Sequence, residues 1–295
     1  EAEMNSDLQV VFIRKVVSID TDVLSMAMAQ LERVPLMLSV RAPAMRVLRL
    51  DFCNVRGEIG STILPPLLRH LSLRGNYITS INLRGLHRLE RIDVRDNWLI
   101  RLKLCSERGA ARPVAQLEEA RLGGNRRLCK RVSKIFLHAV ICDCSGAPVK
   151  DVCQNLGGGS VQHLNLCRCQ IVALPSDFFE VLLLLRVFLL AENHCAWLPK
   201  FFTREGDKRC YSPLRTLSLA SNCLKLLPAN VGFAFPLLKV LEVSKNSAMR
   251  RLPLSLAACP DLEEIFAGGG YIEPQKVPKR LRSFVAYRDA PVLGI

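Results

Sequence analysis

Apolar residues recur along the second half of the chain at one set of offsets. Leu214, Leu217 and Leu219 are followed by Asn222 and Leu224, and 24 residues later Leu238, Leu241, Val243, Asn246 and Ala248 repeat the arrangement. With the first apolar residue as position 1, positions 4 and 6 flank position 5. That period of two predicts a short strand with 4 and 6 turned to a core and 5 turned away. Position 9, usually Asn, falls where the chain must turn, and its side chain can satisfy backbone groups of neighbouring copies. One such unit cannot bury its apolar face alone, so copies must stack, with their strands side by side in a parallel sheet.

Eleven rungs carry this spacing. Met45, Leu48, Leu50 and Cys53 form the first; Leu68, Leu71, Leu73 and Asn76 the second; Leu89, Ile92, Val94 and Asn97 the third; Leu117, Ala120, Leu122 and Asn125 the fourth. A degenerate fifth is placed at Leu137, Val140, Cys142 and Ser145, because it divides a long gap into steps of 20 and 24 residues. Val161, Leu164, Leu166 and Cys169 follow, then Leu185, Phe188, Leu190 and Asn193, then the two units above. Leu262, Ile265, Ala267 and Gly270 precede a weak last rung at Leu281, Phe284, Ala286 and Asp289. Cys53 and Cys169 replace Asn with a small side chain that donates weakly.

The connections differ between the halves. Early units are 23 and 21 residues apart, room for little more than a turn or a one- to two-turn helix. Later units carry Leu174-Pro175, Leu198-Pro199, Leu227-Pro228, Leu252-Pro253 and Val277-Pro278, where proline opens a helix or turn without losing a needed donor. Ser176, with Glu180 nearby, is the expected helix N-cap. Polar insertions at 106–113 and 203–212 predict surface loops. Gly157-Gly158-Gly159-Ser160 predicts a turn and no phosphate cradle, since no Lys-Ser or Lys-Thr follows. Residues 1–44 do not fit the spacing. There Val23–Val34 predicts a helix, with apolar residues at 23, 24, 27, 28 and 31 and a stop at Pro35, that caps the stack or docks a partner. The domain division is therefore 1–44 flanking or capping segment, 45–290 repeat array and 291–295 tail.

Over about residues 45–290 the chain resembles the leucine-rich-repeat family. The second half is similar to the L-P-x-x-L-x-x-L-x-x-L-x-L-x-x-N-x-L class of intracellular scaffolds, and the shorter early units to the 21- to 23-residue intracellular class. The resemblance implies an α/β solenoid, a horseshoe with a parallel β-sheet on its concave side and short helices or turns on its convex side. It also implies a protein-binding role, alone or beside a catalytic domain.

Composition is that of a folded protein, 49% hydrophobic and 23% charged. The formal net charge of +14 favours an acidic partner surface. Residues 1–150 hold 24 Lys/Arg against 15 Asp/Glu, and the remainder 17 against 12. The most apolar run, Val181–Leu190, is about half of the ~20 residues that a membrane span needs and contains Arg186. Glu1-Ala2-Glu3-Met4 lacks the features of a secretion signal, so a cytoplasmic, or more broadly intracellular, location is expected. The start without an initiator Met allows the sequence to be part of a longer protein.

Twelve cysteines raise metal and disulfide chemistry. The dense region, Cys142, Cys144, Cys153, Cys167 and Cys169, has C-x-C spacing twice and no C-x-x-C, with His163 close in sequence, so neither a metal nor any other cofactor is expected. Reduced thiols filling core positions fit the register better. The five histidines form no Ser-His-Asp or Cys-His set in this register, so no active site is expected in this segment.

Function is therefore sought on outward positions. In the early rungs these include Arg46, Arg49, Arg69, Arg74, Arg91, Arg95 and Arg121 among Asp51, Glu90, Asp93, Asp96, Glu118 and Glu119. They are either a solvated mixed-charge surface or a site for an acidic partner, since Arg pairs bidentately with carboxylate or phosphate. In the late rungs Leu189, Phe266, Val285 and Tyr287 are outward, as a protein contact or under a C-terminal cap. The leading expectation is a non-catalytic scaffold that binds protein through the concave face and flanking loops. Alternatives are an RNA- or ribonucleoprotein-associated component using the basic first half, although aromatics are only 6%, and a regulatory arm of a larger enzyme.

Overall fold

The computed structural model describes residues 17–36, 38–103, 117–128, 139–148, 160–199 and 212–291. The expected loops at 106–113 and 203–211, together with Gly157-Gly158-Gly159, Leu137, His138 and Cys153, lie outside the described residues. The chain folds into two compact units, 1–140 and 141–295.

Unit 1 contains β1 (Val23–Ala27), α1 (Leu38–Arg41), β2 (Val47–Asp51), β3 (Arg56–Ile59), β4 (His70–Ser72), β5 (Tyr77–Asn82), β6 (Arg91–Asp93), β7 (Arg101–Lys103) and β8 (Glu119–Arg121). Strands β1, β2, β4, β6 and β8 pair in parallel in that order, which aligns Leu24, Leu48, Leu71, Ile92 and Ala120 at position 4. All five are buried. In unit 2, β9 (Ile141–Asp143), β10 (His163–Asn165), α2 (Phe178–Val181), β11 (Val187–Leu189), β12 (Thr216–Ser218), α3 (Val231–Ala234), β13 (Val240–Glu242), β14 (Glu264–Phe266) and β15 (Val285–Ala286) follow one another. Their parallel register aligns Cys142, Leu164, Phe188, Leu217, Leu241, Ile265 and Val285. Each of the eleven expected rungs contains a strand.

Four local expectations are corrected. Val23–Ala27 is a strand, not the start of a helix. A helix would have left one edge of β2 unpaired, whereas β1 forms five residue pairs with it, and Arg46 and Val47 N–H groups donate to Asp22 O. The fifth rung lies two residues later than its spacing suggested. Cys142 pairs with Leu164, so positions 1, 4, 6 and 9 are Ala139, Cys142, Cys144 and Ala147, all fully buried. The last rung is displaced by one residue, since Val285 pairs with Ile265 and position 8 becomes Asp289. Finally, Asp177 and not Ser176 is the N-cap of α2, with no side-chain cap bond.

Connections follow repeat length. In unit 1 the coils run on past position 9 as a second parallel sheet, β3-β5-β7, because extended chain fits into 21 to 23 residues where a full helix does not. In unit 2, α2 and α3 follow Pro175 and Pro228, and 3-10 turns follow Pro253 and Pro278. Phe178, Phe179, Phe188 and Phe235 meet edge-on or tilted, with centroids 5.0–5.9 Å apart, joining these helices to the leucine rungs.

The asparagines join rung to rung. Asn193 Nδ2 donates to Leu166 O at 2.8 Å and Leu190 O at 2.9 Å, while its Oδ1 accepts from Cys169 N at 3.0 Å and Ile171 N at 2.9 Å. Asn76 makes the same four bonds in unit 1, to Leu50 O and Leu73 O and from Cys53 N and Val55 N. Cys169 keeps the donor half and is only a weak acceptor toward the Ala147 N–H. Its Sγ reaches Cys144 O, the position 6 carbonyl of the preceding rung, at 3.1 Å.

One residue earlier, position 8 has a positive φ from rung to rung: Met28, Phe52, Gly75, Asp96 and Gly124 in unit 1, and Gly146, Arg168, Glu192, Ser221, Lys245 and Gly269 in unit 2, between 52° and 75°. For a residue other than Gly this conformation costs roughly 1–2 kcal/mol. It turns the position 8 N–H onto the position 7 carbonyl of the next rung, as from Phe52 to Arg74 at 2.8 Å and from Lys245 to Gly268 at 2.8 Å.

Replacing Asn193 with Ala leaves buried carbonyls and N–H groups without partners, at ~1–3 kcal/mol for each. Asn193→Ala is therefore expected to lower unfolding free energy by about 3 kcal/mol or more, and Cys169→Ala by about 1 kcal/mol, in urea titrations followed by circular dichroism. Equal losses would show that the ladder bonds do not carry the fold.

Candidate functional site

On the face of unit 1 turned away from the core, positions 3, 5 and 7 bring the sequence-nominated arginines together with carboxylates. Arg49 and Asp51 from β2, His70 and Ser72 from β4, Arg91 and Asp93 from β6, and Glu119 and Arg121 from β8 surround a hollow of ≈ 250 Å³. Strand pairing alone sets this lattice, since each rung adds residues beside those of the last.

Most of these arginines are already engaged. Arg95 grips Asp93 through Nε at 3.0 Å and Nη2 at 2.6 Å. Arg121 pairs with Glu119, and Arg91 lies 3.9 Å from both Glu118 and Glu119. Arg74 contacts Asp96 at 3.2 Å and lies over the Phe52 ring at 5.5 Å. At position 2, on the border of this face, Arg46 meets Asp22 at 3.5 Å and Arg69 meets Glu90 at 2.9 Å, with His70 Nε2 3.6 Å from the same Glu90. Asp51 is held by Ser72 Oγ at 2.6 Å and Arg74 N at 2.9 Å. Among the described residues, Arg49 is the one nominated arginine with no ion pair, and it is exposed. The exposed pairs among these, Arg46–Asp22, Arg74–Asp96 and Arg91–Glu118, are individually worth ~0–1 kcal/mol, so a partner can exchange them at small cost, whereas Arg95–Asp93 and Arg121–Glu119 are part-buried.

The late outward residues are arranged differently. Leu189 and Phe266 do stand at position 5 but are buried, 2% and 4% exposed. The Arg288 guanidinium lies 5.7 Å over the Phe266 ring and is tied to Glu264 at 3.1 Å. Val285 is half-buried on the core side, in register with Ile265, and the outward assignment fails there because of the one-residue displacement. Tyr287, two residues on, remains half exposed. Leu189 and Phe266 therefore form no exposed apolar patch with Val285 and Tyr287.

Sequence reasoning missed two surfaces. On unit 1, Arg56 lies over Tyr77 at 5.3 Å, and Tyr77 meets the exposed Trp98 edge-on at 5.0 Å, beside the β3-β5-β7 sheet. On unit 2, Leu226, Phe233 and Leu254 are more than half exposed around a groove between α3 and the next 3-10 turn. Strand periodicity carries no signal for either, because both lie beyond position 9.

Thiol chemistry is suppressed by burial. Cys142 Sγ and Cys144 Sγ lie 3.9 Å apart in the core, and burial holds the Cys144 thiol well above its ordinary range. Burial likewise pushes Cys167 and Cys195 up to about 12. His163 is lowered by burial and by Arg186, which keeps it neutral near pH 7. Among the described residues no cluster of three or more His, Cys, Asp or Glu is placed to hold a metal. Nor is any described helix long and apolar enough to cross a membrane.

No protein-family model matches the chain, and no curated protein sequence matches it. A solved leucine-rich-repeat protein of Leptospira interrogans is similar with a TM-score of 0.70 and 22% identity, over 90% of this chain and 65% of that one. The internalin InlF of Listeria monocytogenes gives 0.48 and 13% over 98% and 94% of the two chains. InlJ from the same organism gives 0.45 and 15% over 70% and 45%. The chain thus spans 65% of the Leptospira protein's length.

Cys223 is exposed whereas Cys195 is buried. Because the thiolate is the reacting form, iodoacetamide at pH 8 is expected to label Cys223 at least roughly tenfold faster than Cys195 or Cys167. Peptide mass spectrometry over time measures this, and comparable rates would contradict the burial described.

Proposed function

We propose that this chain, which has the leucine-rich-repeat fold, is a non-catalytic protein-interaction scaffold whose unit 1 binds a partner of mixed but predominantly acidic charge on the open face of β2, β4, β6 and β8. The observation that carries this reading is Arg49. It lines the hollow without an ion pair among the described residues, and beside it Arg91 lies 3.9 Å from the exposed Glu118, which a partner can replace, while Arg121 is held by the part-buried Glu119. Arg49 supplies the first contact to an incoming carboxylate, and the excess positive charge speeds encounter.

Protein is favoured over RNA as the partner. The unit 1 hollow is lined by no Phe, Tyr or Trp on which a base could stack, and its carboxylates Asp51, Asp93 and Glu119 repel a phosphate backbone. The one aromatic at position 5 in unit 2, Phe266, is covered by Arg288. A reducing, intracellular compartment remains part of the proposal, supported by free thiols such as Cys53 and Cys169 that donate to backbone carbonyls in place of Asn.

The test begins with affinity purification and mass spectrometry from the native cell, followed by titration of the recovered partner against variants. Arg49→Glu combined with Arg74→Glu is expected to weaken binding at least ~10-fold, about 1.4 kcal/mol, mostly through association rate and with a loss of salt dependence. Unchanged affinity for every partner would overturn the role of this face.

A further inference from the structure

Unit 2 carries a second surface that the strand face does not use. After Pro228 the chain turns through α3, and one repeat later Pro253 opens the 3-10 turn Leu254–Ala258. These two segments touch through backbone. Gly232 N donates to Ser255 Oγ at 3.1 Å, and a Cβ at Gly232 would lie 2.0 Å from Ser255 O. Only glycine permits that approach, and its neighbours Phe233 and Ser255 line a groove of ≈ 770 Å³. Leu226, Phe233 and Leu254 border it, 52%, 54% and 63% exposed. Three large apolar side chains converging on one fixed hollow are more than the scattered exposure of an ordinary surface.

The rim chooses the occupant. Arg251 and Arg280 line the same groove, both exposed, and neither has an ion pair or hydrogen-bond partner among the described residues. Elsewhere in unit 2, Arg168, Arg288 and Lys245 are each matched by a carboxylate. A second copy of a chain carrying a net charge of +14 would bring more positive charge to this rim and is repelled. An apolar segment bearing carboxylates at its border satisfies both the leucines and the arginines.

We infer that this groove docks an acidic amphipathic peptide segment of a protein partner, its apolar stripe against Leu226, Phe233 and Leu254 and its carboxylates on Arg251 and Arg280. The mode is helix-in-groove recognition, in which residues spaced i, i+3/i+4 and i+7 anchor one face. Leu254, the most exposed of the three, offers the most apolar surface to cover, and the arginines set the charge specificity.

The probe is a synthetic, fluorescently labelled amphipathic peptide of roughly 16 residues, with leucines at helical spacing for an apolar stripe and glutamates beside it. Anisotropy titrations against the full chain are run beside a peptide of scrambled order and one with lysines replacing the glutamates. Binding is expected for the first peptide alone. Arg251→Glu with Arg280→Glu is expected to weaken it at least tenfold and to remove its salt dependence, and Leu254→Asp to abolish it. All three residues are exposed, and circular dichroism verifies that the variants remain folded. Equal binding of the lysine or scrambled peptide, no binding of the acidic one, or indifference to these variants would overturn the proposal. So would concentration-dependent self-association relieved by Leu254→Asp, which would assign the groove to a second copy. None of these variants touches Arg49 or Arg74, so failure here leaves the strand-face reading standing.

Discussion

Each coil of this chain must reverse direction just after a strand of three to five residues, or two in the last, and that reversal is the constraint on which the rest of the fold depends. A positive φ at position 8 makes the turn, and the Asn at position 9 bonds the exposed backbone on both sides of it. The turn frees carbonyls at position 6 and N–H groups at positions 9 and 11, and a buried group without a partner costs ~1–3 kcal/mol. The Asn amide, with two donors and one acceptor, takes both kinds at once, as Asn193 does. Thiols at Cys53 and Cys169 take the same place toward the preceding rung, donating to Met26 O and Cys144 O and meeting the N–H groups of Ala29 and Ala147 as weak acceptors.

The same turn organises the surface along its edge. Side chains at position 8 in neighbouring rungs project over one another, and bulk on one is accommodated by its absence on the next. Phe52 lies over Gly75, where a Cβ would come within 2.3 Å of its ring, and Asp96 lies over Gly124 at 2.4 Å. Lys245 passes over Gly269 to reach Asp289 at 2.6 Å. Where two long residues are adjacent, opposite charge resolves the crowding: Arg168 and Glu192 pair at 2.7 Å, which holds the Glu192 carboxyl below its ordinary range. Glycine here meets two needs, the left-handed backbone and the space its neighbour fills.

The leucine spacing made the parallel stack legible because positions 4 and 6 are set by a short-range rule that every rung obeys. It failed where that rule loses its residues. At Cys142 and Cys144 small thiols replace leucines, so Val140 looked as suitable as Cys144 for the core, and only pairing with Leu164 separates the two registers. At the last rung β14 is the one paired neighbour among the described residues, and its Ile265 fixes the register that turns Val285 inward. Val23–Ala27 has both a helical and an alternating pattern. The unpaired edge of β2 decides between them, and an unpaired edge is a tertiary fact.

Outward positions were legible as positions but not as surfaces. Arg91 and Glu119 are 28 residues apart in sequence yet adjacent in the sheet, so arginines and carboxylates read as separate outward positions become a lattice of pairs once rungs are stacked. Phe266 is covered by Arg288 from the next rung, and a position that points away from the core is not thereby exposed. What distinguishes a residue in such a lattice is therefore what its neighbours leave unsatisfied. On the strand face of unit 1 that residue is Arg49, and at the α3 groove of unit 2 it is Arg251 and Arg280. Because the repeat frame spends its leucines and asparagines on holding rungs together, residues free of that task are the ones able to choose a partner.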